Sequence, residues 1–172
     1  MFRTLANKIT LFRVLLIPAF LVLAYTGHRI GALAVYVTAC LSDAADGYVA
    51  RRFAQTSTVG TFLDPLADKA LVLAAMCFFI ERGQLPGWVV ALVLVREFAV
   101  SGLRLVAAER GIVIAASRWG KVKTACTMVC LCAMLLLDKH NIVNIISTAL
   151  ILLTTLVSGV QLFAANAKVF RS

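Results

Sequence analysis

Apolar residues in this chain come in long runs, and that pattern limits the fold more than any other feature. Six runs can be traced, at 10–26, 31–52, 61–81, 87–108, 119–138 and 142–165. A helix crossing the hydrocarbon core of a bilayer needs about 20 mostly apolar residues. Only a backbone that bonds internally survives there, which leaves helices for runs of this kind. The breaks carry turn chemistry: Gly27-His28-Arg29, Gln55-Thr56-Ser57-Thr58, Glu81 to Gly87 with Pro86, Gly111 to Gly120, and Asp138-Lys139-His140-Asn141. Of 172 residues 62% are hydrophobic, more than one soluble core of this size could take in. The expected architecture is all-α: a polytopic membrane protein with six transmembrane helices in one domain, residues 1–172. A short interfacial segment, about residues 1–9, precedes the first span. The first apolar run continues to Tyr25, too long for the core of a cleaved signal peptide, so the N-terminus is read as retained. No soluble domain, low-complexity tail or internal repeat is visible.

The formal net charge of +9 could point to nucleic acid, but the cations sit between apolar runs instead of forming one solvated face. Juxtamembrane anchoring explains them better, and nucleic acid is not expected as a partner. With six spans, the side shared by both termini would hold Arg3, Lys8, Arg13, Arg51, Arg52, Arg104, Arg110, Arg118, Lys121, Lys123, Lys168 and Arg171. The other side would hold only Arg29, Arg82 and Lys139. Cytoplasmic loops carry the excess of Lys and Arg, so both termini are expected inside the cell. Cys40, Cys77, Cys126, Cys130 and Cys132 fall within apolar runs, which argues against a disulfide framework. Three of them are close enough in sequence to raise a soft-metal site. Packing of small polarizable thiols in a helix is the plainer account.

Against this background the acids stand out. Only eight exist, and Asp43, Asp46, Asp64 and Asp68 occupy the facing ends of the second and third runs. Charge at such depth is costly and normally meets a partner or a wet cavity. Asp43 and Asp46 are spaced i, i+3, and Asp64 and Asp68 i, i+4, so each pair lies on one helix face. Two antiparallel helices with a short connection can bring those faces together. Four carboxylates that close repel unless cations lie between them, and an oxygen-only set favours Mg²⁺ or Mn²⁺, with Ca²⁺ as a mimic. Mg²⁺ is commonly shared between carboxylates and phosphates, which points to phosphate chemistry. Salt bridges to Arg51, Arg52 or Lys69 are the alternative, but two regular acid pairs exceed what it accounts for. Gly47, Ala50 and Gly60 beside the acids leave room for a ring or diphosphate, and equally for close helix packing.

The order Asp43-Ala44-Ala45-Asp46-Gly47-Tyr48-Val49-Ala50-Arg51, then Gly60, Asp64 and Asp68, matches D-x2-D-G-x2-A-R-x8-G-x3-D-x3-D at every fixed position and spacer. It resembles the signature of the CDP-alcohol phosphatidyltransferase family. That resemblance implies six transmembrane helices, two metal ions per site near the cytoplasmic leaflet, a homodimer, and a multi-pass location in a bacterial cell membrane. It also implies that Asp43, Asp46, Asp64 and Asp68 are metal ligands, that Asp68 doubles as general base, and that Gly47, Arg51 and Gly60 contact the CDP group. An Asn-x-x-Thr-x-x-Arg pattern similar to the family's recurs as Asn7, Thr10 and Arg13. These residues share roughly one helix face and could line the nucleotide pocket; helix capping is the plain reading of Asn7 and Thr10. Many relatives carry Pro before that Asn, where this chain has Ala6.

Arg96 to Arg104, Ala107 to Gly111 and Ser117 to Thr124 resemble the family members that use CDP-diacylglycerol and sn-glycerol 3-phosphate. Arginine forks and lysine point charges suit a phosphate dianion. Arg104, Arg110, Arg118, Lys121 and Lys123 are expected to converge on one loop, with Arg110 and Lys121 the preferred acceptor ligands and Arg118 next. Headgroup anchoring is the bland account of each. Arg96 and Glu97 are expected to form a structural ion pair or to position Arg104. His28 and His140 fall in breaks on the opposite side, so no histidine base is expected. A cardiolipin-forming or inositol-phosphate-transferring relative is the nearest alternative. A divalent-cation transporter would need polar residues continuing across the bilayer, whereas the runs turn wholly apolar beyond the acids. The last two runs read as generic lipid-facing helices.

Overall fold

The computed structural model describes residues 5–53, 58–109, 111, 114, 117–137 and 140–166. For residues 5–11, 43–53 and 58–68 the description is of the backbone path alone. Among the described residues the chain is all-helical: α1 Leu5–Tyr25, α2 Arg29–Phe53, α3 Thr58–Glu81, α4 Gly87–Glu109, α5 Arg118–Leu136 and α6 Asn141–Ala165. Each coincides with one of the six apolar runs. α1 begins at Leu5, so residues 5–9 are helical, and Asn7 and Thr10 lie inside the helix instead of capping its start.

The breaks fall where the backbone chemistry demands. At the end of α1 the His28 N–H donates to the Leu23 carbonyl at 2.9 Å and Gly27 N–H to Ala24 at 3.3 Å. This is a Schellman closure, and it needs a left-handed residue, which Gly27 supplies at φ +82. Gly83 and Gly111 take positive φ at two later breaks. α5 starts differently: the Ser117 hydroxyl accepts the Gly120 N–H at 3.0 Å, an N-cap on the third helical residue.

Two compact units result. The first comprises residues 1–82 with 135–138 and contains α1, α2 and α3. α1 packs closely on both α2 and α3. Ala24, Ala32, Ala39 and Ala75 are buried at the crossings, small enough for close helix approach. An aromatic cluster fills the end near Gly27. Phe20 meets Tyr36 with centroids 5.6 Å apart, and Phe78 stands edge-on to Tyr25 at 5.2 Å. The Tyr25 hydroxyl donates to Glu81, and the Arg82 guanidinium lies 5.5 Å above the Phe78 ring. Arg13, counted above among the anchoring cations, is only 1% exposed. It is a buried side chain of this unit and not a headgroup anchor.

The second unit comprises residues 83–134 with 139–172 and contains α4, α5 and α6. α4 and α6 pack closely. Val100, Leu103 and Ala107 of α4 join Leu162 of α6 in one apolar cluster, and Ile114 and Phe163 pack against it. Ile114, between α4 and α5, therefore lies against α4 and α6. The buried stripe of α6 corrects the reading of the last helices as generic. It runs Asn144, Ser147, Ile151, Thr155, Ser158, Leu162, spaced by threes and fours with four of its six members polar.

α5 and α6 are each long and apolar enough to cross a membrane, with 33% and 28% of the relevant windows buried. Phe12–Tyr25 and Arg29–Ser42 are shorter apolar helical stretches. Large apolar side chains such as Leu15, Leu41, Phe98, Leu105, Val129 and Val160 point outward, the kind of exposed apolar surface that marks contact with a membrane or another protein. Hydroxyls on the helices mostly bond back within their own turn, as Thr38 does to Ala34, Ser42 to Thr38 and Thr154 to Leu150. An apolar medium then meets few unsatisfied groups.

Removing the ring at the heart of the first unit tests this packing. Phe20→Ala is expected to cost about 3–5 kcal/mol, read by reversible unfolding in mixed micelles. Phe98→Ala, at a 72% exposed position, is expected to change little. Equal losses would contradict the assigned core.

Candidate active site

The four aspartates fall on continuous helix, Asp43 and Asp46 in the latter half of α2 and Asp64 and Asp68 in the first half of α3. α2 and α3 pack against each other and are joined through residues 54–57. The ends that carry the acids are therefore neighbours, and each pair keeps its one-face spacing on a real helix. The side chains of Asp43, Asp46, Arg51, Asp64 and Asp68 lie outside the described residues. So do those of Asn7 and Thr10 and the surroundings of Gly47 and Gly60. A set of four carboxylates on two adjoining helix ends has the donor chemistry that a hard divalent cation takes.

Elsewhere, among the described residues, no group of three or more His, Cys, Asp or Glu is placed to hold a metal. Cys126 and Cys130 sit one turn apart on α5 with sulfurs 4.0 Å from each other, and all five cysteines are free thiols. Packing accounts for them. His28 and His140 are exposed and lie in the breaks before α2 and α6.

The second unit carries the cations. Arg104 is exposed on α4, and Arg118 and Lys121 are exposed on the first turn of α5. Arg110 lies outside the described residues. Lys123 does not belong with them, although the sequence grouped it there. It is 5% exposed, and its ammonium donates to Glu97 Oε1 at 2.9 Å. The same oxygen accepts from Arg96 Nη1 at 2.8 Å. The expected Arg96–Glu97 pair is thus present, but its third member is Lys123 of α5 and not Arg104. The three side chains are 12%, 20% and 6% exposed.

Two glycines accommodate this cluster. A Cβ on Gly159 of α6 would stand 3.4 Å from Arg96 Cγ, and one on Gly120 would stand 3.3 Å from Ser117 Oγ and 3.8 Å from Arg96 Nη2. The Arg96 stem therefore lies along α6 while its guanidinium reaches the capped first turn of α5. Sequence alone left Lys123 unassigned to this cluster. The available signal was Glu97 itself, an acid in the middle of an apolar run that required a cationic partner.

Known proteins with related sequences agree with the motif. A family model described as CDP-alcohol phosphatidyltransferase matches residues 3–161. The chain is 40% identical over 154 residues to the CDP-diacylglycerol–glycerol-3-phosphate 3-phosphatidyltransferase of Bacillus subtilis strain 168, covering 80% of this chain and 78% of that protein. It is 37% identical over 168 residues to a probable phosphatidylglycerophosphate synthase of Mycobacterium tuberculosis, covering 93% and 80%. The Escherichia coli K12 protein with the same name as the Bacillus one is 41% identical over 131 residues, covering 72% and 71%. With its acid motif complete and the match running through nearly all six helices, the chain belongs to the CDP-alcohol phosphatidyltransferase family.

Proposed function

We propose that this protein transfers the phosphatidyl group of CDP-diacylglycerol to sn-glycerol 3-phosphate, giving phosphatidylglycerol phosphate and CMP. The observation that carries the reading is the complete acid motif on α2 and α3, in a chain 37–41% identical to relatives named for that product or reaction. Exposed cations on α4 and α5 supply what a phosphorylated acceptor needs.

On this reading Asp43, Asp46, Asp64 and Asp68 hold two divalent cations, Mg²⁺ or Mn²⁺. Bound there, the ions neutralise the diphosphate and stabilise the charge on departing CMP. Asn7, Thr10, Gly47, Arg51 and Gly60 seat the CDP group. Arg104, Arg110, Arg118 and Lys121 hold the acceptor phosphate. Asp68 takes the hydroxyl proton as the new P–O bond forms and the bond to CMP breaks. A carboxylate is a weak base at rest, so Asp68 acts at short range during attack.

The reading also includes six transmembrane spans with both termini inside, an active site at the cytoplasmic leaflet, surrounding membrane lipids as partners, and a homodimer. Helices of 19 to 25 residues support the six spans, since about 20 residues cross the hydrocarbon core.

Asp68→Asn is expected to abolish CMP release from CDP-diacylglycerol and glycerol 3-phosphate while the purified protein keeps its wild-type unfolding transition. Normal turnover in that variant would remove Asp68 from the base role. Arg110→Ala and Lys121→Ala should each raise KM for glycerol phosphate by about tenfold, the equivalent of one charge-assisted hydrogen bond, with KM for CDP-diacylglycerol little changed. Parallel rises for both substrates would sink the phosphate-pocket assignment.

A further inference from the structure

Glu97 is shared by two cations at hydrogen-bond distance, Arg96 on its own helix and Lys123 on the next. The three side chains lie in a largely buried region. Stability alone does not explain such an arrangement. Well-packed apolar residues join helices as well as or better than a buried ion pair, and an ionisable group within a spanning helix most often marks function.

Its position indicates what that function is. Among the described residues, the Lys123–Glu97 bond links α5 to α4. The Arg96 guanidinium reaches the first turn of α5 beside Gly120, where the Ser117 hydroxyl already caps the helix. Arg118 and Lys121 project from that same turn. Arg104 lies seven residues beyond Glu97 on α4, two turns along the same helix face. Cations on two helices can act on one phosphate only if the spacing between those helices is fixed, and no other acid–base pair is recorded across α4 and α5 among the described residues.

We propose that Glu97 is a positioning residue of the acceptor site: by holding Lys123 and Arg96 it fixes the first turn of α5, with Arg118 and Lys121, against α4. The proposal rests on the reading above that these cations receive a phosphorylated acceptor. Glu97 does not touch substrate. It acts through the placement of α5.

The test compares wild type, Glu97→Gln, Glu97→Asp and the exchange Glu97→Lys with Lys123→Glu, each purified in mixed micelles with Mg²⁺. KM for glycerol 3-phosphate, KM for CDP-diacylglycerol and kcat are measured for each. Glu97→Gln is expected to raise KM for glycerol 3-phosphate by about tenfold or more. KM for CDP-diacylglycerol should stay unchanged, which also shows that the nucleotide half remains folded. Glu97→Asp and the exchanged pair, which keep a carboxylate between the helices, should recover most of the loss. A Glu97→Gln variant with wild-type KM for glycerol 3-phosphate would overturn the proposal, as would equal losses for both substrates. Wild type that releases no CMP with glycerol 3-phosphate would instead overturn the acceptor reading itself, so the two failures separate.

Discussion

Glu97 and Lys123 meet across α4 and α5 in surroundings where neither charge could stand alone. The cost of an unpartnered ion in an apolar medium governs much of what this chain does with its polar residues. Most helix hydroxyls bond back within a turn, as Thr38, Ser42 and Thr154 do. Tyr25 meets Glu81, and Arg82 lies on the Phe78 ring. The same constraint gives the four aspartates their meaning. Two acid pairs on adjoining helix ends need compensating positive charge, and on the proposed reading hard divalent cations would supply it.

Charge is also divided along the chain in a way that suits a two-substrate reaction. The first unit carries the four acids on α2 and α3, and the second carries Arg104, Arg118 and Lys121 on α4 and α5. A nucleotide-linked lipid and a phosphorylated alcohol ask for these two kinds of surroundings. On the proposed reading the first would be served by divalent cations held by the acids, and the second by guanidinium and ammonium groups for a dianion. The proposed reaction follows from that division together with the family membership.

The helices were legible because their punctuation is backbone chemistry. Gly27 closes α1 only because glycine accepts a positive φ, and the first apolar run stops at that residue. Helix extents follow apolar run lengths for the same reason. What sequence could not supply was rotation. Lys121 and Lys123 look alike as basic residues two apart, yet about 200° of helix turn separates them, so one faces outward and the other is buried against Glu97. Arg13 is the same case, placed by sequence at a membrane surface and by packing in a helix interior. The polar stripe of α6 was visible in principle, since Asn144, Ser147, Thr155 and Ser158 keep a three-and-four spacing. Its apolar neighbours hid it because lipid-facing and buried positions alternate around the same helix.

The proposed reaction joins a CDP-activated lipid to a phosphorylated three-carbon acceptor. CMP release by the purified protein from CDP-diacylglycerol, with glycerol 3-phosphate, glycerol, inositol phosphate or phosphatidylglycerol as the sole acceptor, tests it most directly. The account predicts Mg²⁺-dependent release with glycerol 3-phosphate, accompanied by phosphatidylglycerol phosphate, and little with the other three. Efficient release with glycerol or phosphatidylglycerol and none with glycerol 3-phosphate would contradict it.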